Sequence, residues 1–459
     1  MFYNPDNESI NRYSGKLLLR REIPVDEATF KQLLHSSFFT PRSSIKKKYY
    51  QYQCQRCGNC KRSLFGSIPC NNCEKTHLYC RKCIEMGRVM ECEPLYEWTG
   101  PKVKWPAHIN ACTWKGELTE VQQKAADRIT EAICNKENEL LVWAVCGAGK
   151  TEMLFPGIAE SLKRGKRICV ATPRTDVVRE LLPRLREAFS GTYVQGLYGG
   201  SRETDGAAQL VIATTHQLLR FKNAFDVIII DEIDAFPYHA DKSLSYAANR
   251  SKREDSNTTI YLTATPRQKH QILIAHKKLQ HIFVPSRFHG YPLPVPAFHM
   301  CYSLQKDMKS FQPPKPFFKW YAHRKTPDHQ LLIFVPTIIL AEKLYKNLLQ
   351  ILDDNVVAVH ASDSNREEKI RQFRNKQIRI LVTTTILERG VTFPAVDVVV
   401  FDAGHTVFDE AALVQIAGRA GRSPKDPTGE VVFFHNGKTE AMVQAVRSIQ
   451  TMNKRGGFR

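Results

Sequence analysis

The sequence predicts an α/β protein in which two tandem parallel-sheet domains follow a small metal-binding module. Three observations lead there. Eight of the thirteen cysteines crowd between Cys54 and Cys92. From Leu118 onward, short apolar strands alternate with helix-length segments in two successive series. The first strand of the first series runs straight into a glycine-rich loop, AVCGAGKT at 144–151.

The 459-residue length allows about three domains. A hydrophobic content of 42% and a charged content of 24% are ordinary for globular protein. No apolar run reaches the ~18 residues that span a bilayer. The start, MFYNPDNESINRY, lacks a basic-then-apolar signal pattern, so the expected location is cytoplasmic unless a partner recruits the chain to a membrane. A formal charge of +20 and a pI of 9.4 favour a polyanionic partner. Residues 1–115 hold 19 Lys/Arg against 10 Asp/Glu.

Taken in order, residues 1–50 form a basic N-terminal segment with an amphipathic stretch near Asp26–Leu34. The run Lys46, Lys47, Lys48, Tyr49, Tyr50 leads into a cysteine-rich module at 51–98. Gly100, Pro101 and Pro106 mark a connector. A first α/β domain is expected over 99–290, with strands at Leu140–Val145, Ile168–Ala171, Leu210–Thr214, Val227–Ile230 and Ile260–Thr263. Nearly continuous apolar strands of this kind indicate a parallel sheet covered on both faces. The Pro-rich passage from Pro285 to Pro316 reads as an interdomain connection. A second domain is expected over 310–459, with strands at Leu331–Val335, Val356–Val359, Ile380–Thr383, Val396–Phe401 and Val431–Phe434.

Within the cysteine module, Cys54-x-x-Cys57 and Cys80-x-x-Cys83, separated by 22 residues, have the spacing of a four-thiolate structural zinc site. Cys60, Cys70, Cys73 and Cys92 remain for a second, interleaved site. Spacing alone does not exclude pairing Cys57-x-x-Cys60 with Cys70-x-x-Cys73, and His77 either replaces a thiolate or is an unengaged surface residue. Clustered thiols of this kind read as metal ligands in a reducing compartment rather than as disulfides. Arg56, Lys61, Arg62, Arg81, Lys82 and Arg88 thread the module and suit either phosphate contacts or a solvated face.

The loop at 144–151 has the chemistry of a phosphate cradle. Ala144, Val145, Cys146, Gly147, Ala148 and Gly149 bring backbone N–H groups onto phosphate oxygens, helped by the following helix N-terminus. Lys150 is expected to reach the β- and γ-phosphates and the Thr151 hydroxyl to ligate Mg2+. Ala144 departs from the strict pattern, which begins with Gly. Downstream, DEID follows an apolar strand. Asp231 would hold Mg2+ through water, and Glu232 would orient or deprotonate the attacking water. Gln122 is placed either against an adenine edge or in a Thr119-x-x-Gln122 capping box, and both can hold. In QIAGRAGR, Gln415, Gly418, Arg419, Gly421 and Arg422 supply arginines suited to charge developing on a transferred phosphoryl group. Together the three strings describe an ATP-driven motor.

With these strings assembled, the chain from about Leu118 to Gly437 resembles superfamily 2 helicases and translocases, which implies two RecA-like domains. Thr172, Pro173 and Arg174, Thr214 and Thr215, Thr263 to Thr265, Phe334 to Thr337, and Thr384 with Arg389 stand where such motors place their other motifs. In that resemblance Thr172, Pro173, Arg174, Thr214, Thr215, Thr384 and Arg389 belong to loops that grip the DNA backbone. The strings YCRKCIEMGRV, WAVCGAGKTEMLFPGI, ATPRTDVVREL, TTHQLL, DEIDAFPY and TTTILERGVT narrow the resemblance to the ComFA family of late-competence proteins. The resemblance implies a single-stranded-DNA-stimulated ATPase using ATP, Mg2+ and Zn2+. It also implies work at the inner face of the membrane with the DNA-uptake channel and other cytoplasmic competence proteins. It favours Cys54, Cys57, Cys80 and Cys83 as the zinc quartet. Two alternatives stay open: a duplex-unwinding helicase resembling primosomal restart proteins, although no strand-separating pin is evident in the sequence, and an ATP-gated adaptor.

Overall fold

A strand such as VIII at 227–230 has no polar alternation, so the sheet it enters must be covered on both faces. In the computed structural model, which describes residues 7–201, 208–255, 257–352, 354–388 and 393–458, such strands build two parallel sheets. The chain forms two compact units: residues up to 142 together with 151–282, and residues 143–150 together with those from 283 onward.

The N-terminal part combines short helices with short strands: β1 (Leu17–Leu18), β2 (Phe39–Arg42), β3 (Ile45–Lys48), β4 (Gln51–Cys54), β5 (Phe65–Pro69), β6 (Thr76–Cys80), β7 (Val89–Met90) and β8 (Leu95–Trp98). β8 pairs antiparallel with both β1 and β2, with Leu17 opposite Glu97 and Phe39 opposite Trp98. The expected division into a basic segment at 1–50 and a separate module at 51–98 is therefore not how the backbone is organised. The sheet closes before and after the cysteine region, which is an insertion within it. Its core is aromatic: Phe39 lies 5.2 Å from both Tyr13 and Trp98 between ring centroids, over buried Phe30 and Leu33. The amphipathic stretch forms the helix Glu27–His35, whose first turn is capped by Asp26 accepting from the Thr29 N–H at 2.9 Å.

Next come β9 (Glu139–Ala144), β10 (Ile168–Thr172), β11 (Val194–Leu197), β12 (Leu210–Thr214), β13 (Val227–Ile230), β14 (Thr258–Thr263) and β15 (Gln280–Val284). They form a seven-stranded sheet in the order β11-β12-β10-β13-β14-β9-β15. β11–β12, β12–β10, β10–β13 and β13–β14 all pair parallel, so those strands end on one edge.

The second unit contains β16 (Ala297–Met300), β17 (Gln330–Phe334), β18 (Val356–Val359), β19 (Ile380–Thr383), β20 (Val396–Phe401) and β21 (Val431–His435), in the parallel order β16-β21-β20-β17-β19-β18. The Pro285–Pro316 passage is not a bare connection, since it supplies β16 and the helix Leu304–Lys309. Phe317, Ile333, Leu344, Val382, Phe401 and Phe434 fill this unit's core.

Candidate nucleotide site and metal centre

Ala144 closes β9 and is buried with Val145, Cys146 and Ala148. The backbone then reverses through Gly147 and Gly149 at φ +80 and +73, a region open to glycine at little cost. It enters the helix Lys150–Lys163 directly, so the unbonded N–H groups of the first turn face the loop. Lys150 and Thr151 open that helix and are both half-buried. These features fit a phosphate. Gln122 is buried and forms the capping box, its Oε1 accepting from the Thr119 N–H at 2.8 Å and its own N–H donating to Thr119 Oγ1 at 3.4 Å.

On the edge where β10, β12, β13 and β14 end, Thr172 stands in register with Thr214, and Asp231 directly follows β13. Parallel α/β sheets place ligands at this edge. Asp231 donates its N–H to the Ala171 carbonyl at 2.8 Å, and its Oδ1 accepts the Glu232 N–H at 2.9 Å. Glu232 sits at φ +55, a left-handed conformation that costs a non-glycine residue about 1 kcal/mol or more. Asp234 ties this edge to the next strand: Oδ1 accepts from Thr263 Oγ1 at 2.5 Å and Oδ2 from Thr265 Oγ1 at 2.7 Å. These two bonds join the acidic segment to 263–265. Thr172, Pro173, Thr214 and Thr215 are buried, while Arg174 is half-buried.

In the second unit, the helix Glu410–Ala417 is buried from Ala411 onward, including Gln415. Arg419, 2% exposed, donates from Nε to the Glu388 carbonyl at 2.9 Å, and Arg422 Nε donates to the Gly418 carbonyl at 2.8 Å. Gly421 lies at φ +60, and a Cβ there would stand 2.1 Å from the Pro427 carbonyl oxygen, so glycine is required. Buried Arg287 donates to the carbonyls of Gly418, Ala420 and Gly421 at 3.1, 2.7 and 2.6 Å, and desolvation lowers its pKa to about 10. Thr384 is half-buried at the start of a single helical turn, Thr385–Leu387. Arg389 and Gly390 lie outside the described residues.

Cys54, Cys57, Cys80 and Cys83 are buried with their sulfurs all within 4.8 Å of one another. Cys54 Sγ to Cys83 Sγ is 3.8 Å and Cys57 Sγ to Cys80 Sγ is 3.6 Å. A tetrahedron with Zn–S bonds of about 2.3 Å has edges of about 3.8 Å, so the quartet matches zinc. Hydrogen bonds from Cys57, Cys80 and Cys83 hold the Cys54 thiol well below its ordinary pKa. Bonds to Cys54 above all push Cys57 and Cys83 upward. Four adjacent thiolates need a dication to coexist.

The first pair is also bolted to the neighbouring α/β fold. Arg250, whose pKa burial lowers to about 10, donates from Nη1 to the carbonyls of Gln55 and Arg56 at 2.8 and 2.5 Å. Its other donors take Leu219 O at 2.6 Å and Phe221 O at 3.1 Å. Two residues read as phosphate contacts are engaged instead. Arg56 is fully buried and ion-paired to Glu22 at 2.7 Å, and Lys82 pairs with Asp241. Lys61, Arg62, Arg81 and Arg88 remain exposed.

The eight-cysteine region does not divide as expected for its other members. Cys70, Cys73 and Cys92 gather within 4.8 Å, but Cys60 is not among them. Cys60 is exposed, with its thiol 3.5 Å from the Gly58 carbonyl. The alternative pairing of Cys57 and Cys60 with Cys70 and Cys73 is likewise not assembled.

Residues 4–97 match the family described as "Competence protein ComFA N-terminal domain". Residues 115–268 match "Type III restriction enzyme, res subunit", and residues 317–424 match "Helicase conserved C-terminal domain". The chain is 43% identical over 437 residues to the competence protein ComFA of Bacillus subtilis, covering 95% of this chain and 93% of that protein. The chain belongs to the ComFA family. The ComFA of Streptococcus pneumoniae is 38% identical over 86% of this chain and 92% of its own length. Two solved structures share the fold at 18% identity. Saccharomyces cerevisiae Dbp5 bound to RNA and ADP BeF3 has a TM-score of 0.55 over 73% of this chain and 88% of its own. Mss116p bound to ssRNA and AMP-PNP has a TM-score of 0.54 over 74% and 82%.

This ComFA-family chain is therefore a competence-related, helicase-like ATPase with two RecA-like domains, and such an ATPase implies ATP and Mg2+. Among the described residues no helix is long and apolar enough to cross a membrane. Asp234, Arg250 and Arg287 were not singled out from sequence. Only Asp234 carried a signal, as the last carboxylate of DEID; the two arginines act through backbone carbonyls that no spacing reveals.

Proposed function

We propose that this ComFA-family chain is an ATP-dependent single-stranded DNA translocase that drives import of transforming DNA into the cytoplasm. The observation that carries the proposal is the pairing of a phosphate loop and a carboxylate edge in a chain that is 43% and 38% identical to two competence ComFA proteins along most of its length. Lys150 and the loop N–H groups bind the β- and γ-phosphates. Thr151, and Asp231 through water, would hold Mg2+, which would neutralise charge on the phosphates. Glu232 aligns the attacking water, and Arg419 with Arg422 stabilises charge on the transferred group. Gln122 would face the adenine edge while keeping its capping box with Thr119. Asp234 relays the acidic segment's position to Thr263 and Thr265, and so couples hydrolysis to grip.

The DNA path follows strand-end loops. Because Thr172, Thr214 and Thr215 are buried, they set loop shape, whereas half-buried Arg174 and Thr384 supply contacts; Arg389 joins them on the family resemblance alone. Exposed Lys61, Arg62 and Arg81 extend the basic surface of a chain carrying +20. In the cell, the proposed partners are the uptake channel at the inner membrane face and other competence proteins, with the chain itself cytoplasmic and peripheral.

One observation favours duplex unwinding as a second reading. The β3–β4 hairpin, Lys48 opposite Gln51, ends in Tyr49 and Tyr50, which are 87% and 100% exposed beside exposed Lys46 and Lys47. Aromatic rings presented among lysines stack on bases, worth about 1–3 kcal/mol each. The test is ATP-driven displacement of streptavidin from a biotinylated single strand, run beside unwinding of a tailed duplex. Translocation predicts displacement without unwinding; no displacement with ATP hydrolysis intact leaves the adaptor reading. If the hairpin parts strands, Tyr49→Ala with Tyr50→Ala removes unwinding and leaves single-strand-stimulated hydrolysis within about twofold.

A further inference from the structure

We propose that Cys70, Cys73, Cys92 and His77 form a second zinc site, distinct from the buried four-cysteine quartet. Three thiols within 4.8 Å of one another form its base. The turn that carries two of them repeats the turn of the first quartet bond for bond. Around Cys54, the residue's N–H donates to the Asn59 carbonyl at 3.0 Å, and the Gly58 N–H returns to the Cys54 carbonyl at 2.8 Å. Around Cys70, the N–H donates to the Lys75 carbonyl at 3.0 Å, and the Glu74 N–H returns to the Cys70 carbonyl at 2.8 Å. Sequence offsets and distances are the same in both turns.

The backbone conformation repeats as well. The residue after the second cysteine is left-handed in each turn, Gly58 at φ +71 and Glu74 at φ +56. Glycine takes that conformation freely, but at Glu74 it costs about 1 kcal/mol or more. Left-handed residues close many short hairpins, Tyr49 between β3 and β4 among them; what the two cysteine turns share is that the same closure carries a C-x-x-C pair in each.

The remaining ligands arrive from the paired strands. Cys92 follows β7, which β6 holds in register through Tyr79 opposite Met90. His77 lies on β6, and its Nε2 is 3.0 Å from Cys73 Sγ. Zinc with one imidazole and three thiolates needs N–S separations of about 3.5 Å, and His77 does not lie within 4.8 Å of all three sulfurs, so its ring would have to turn from Cys73 toward Cys70 and Cys92 to share the ion. Its Nδ1 faces Glu91 Oε2 at 4.0 Å, the side on which metal-bound histidines carry a carboxylate. Cys73 is exposed and Cys70 and Cys92 half-buried, so metal can reach the site. Three thiolates and one imidazole suit zinc rather than magnesium or calcium.

The experiment uses the full-length chain, purified reduced and without chelator, with zinc counted per chain by mass spectrometry and Co2+ titrated into the apoprotein. The wild-type chain is expected to hold two zinc ions and Cys92→Ser one. His77→Ala is expected to weaken the second cobalt equivalent by about 10- to 100-fold, with loss of one imidazole from its visible spectrum. The zinc retained by Cys92→Ser in the first quartet reports that the module still folds. One zinc in the wild-type chain, two in Cys92→Ser, or an unchanged second cobalt equivalent in His77→Ala overturns the assignment. None of these readouts depends on DNA or ATP, so failure here is separate from failure of the translocase reading.

Discussion

Lys150→Ala lowers ATP hydrolysis by about 10²- to 10³-fold, the loss typical of removing one preorganised charge from a developing oxyanion. The side chain opens the helix that follows Gly147 and Gly149, where N–H groups and the helix dipole already collect. Alanine keeps the helix, because it is the best helix former, and removes only the ammonium. DNA binding therefore stays within about twofold while hydrolysis falls. Fluorescence anisotropy on a labelled single strand, beside a coupled ATPase assay, measures both. Arg419→Ala is a harsher change, because the guanidinium is 2% exposed and holds the Glu388 carbonyl. Full hydrolysis by Lys150→Ala would contradict the assigned phosphate site.

Cys54→Ser or Cys80→Ser removes one zinc per chain and destabilises the unit that carries the acidic edge as well as the module. Structural zinc contributes on the order of 10 kcal/mol to small metal domains, comparable to the whole stability of a typical fold. Here the loss spreads, because Arg250 joins the Gln55 and Arg56 carbonyls to those of Leu219 and Phe221. Releasing the turn leaves a buried guanidinium short of acceptors, and such groups cost several kcal/mol. With about 2–4 °C lost per kcal/mol in a unit of this size, the first thermal transition should fall by about 10 °C. Differential scanning calorimetry with zinc quantification checks this. An unchanged transition in a chain that has lost its zinc would show the module to be energetically separate. Acidification should act in the same direction, since protons displace the metal from its thiolates.

Much of the fold was legible because central strands of covered parallel sheets are written as plain apolar runs. Val227–Ile230, Leu210–Thr214, Val356–Val359 and Val396–Phe401 fall where the pattern places them. The strands that escaped notice are β11, β15 and β16, and each lies at the edge of its sheet. β15 carries exposed Gln280 and His281, and β11 carries Gln195 and Gly196 even though it is buried, and these residues blur the apolar signal. The N-terminal sheet was illegible for another reason: β8 meets β1 and β2 only after the cysteine insertion has closed on itself.

The site shows the same division. Loop glycines, Lys150 and DEID announce themselves because phosphate and metal chemistry restrict residue type and order together. Cysteine pairing does not, since Cys57, Cys60, Cys70 and Cys73 satisfy the spacing as well as the quartet that assembles. Arg56 shows how a basic residue misleads: its charge suggested DNA, but folding spends it on Glu22.

The central claim is movement along single-stranded DNA driven by ATP. Its most direct test is the steady-state ATPase rate at saturating single-stranded DNA, with strand length varied from about one binding site to several hundred nucleotides. Translocation predicts that the maximal rate rises with length toward a plateau, as each binding event supports more steps before dissociation. A rate that is the same on short and long strands, or no higher with DNA than without it, would contradict the account.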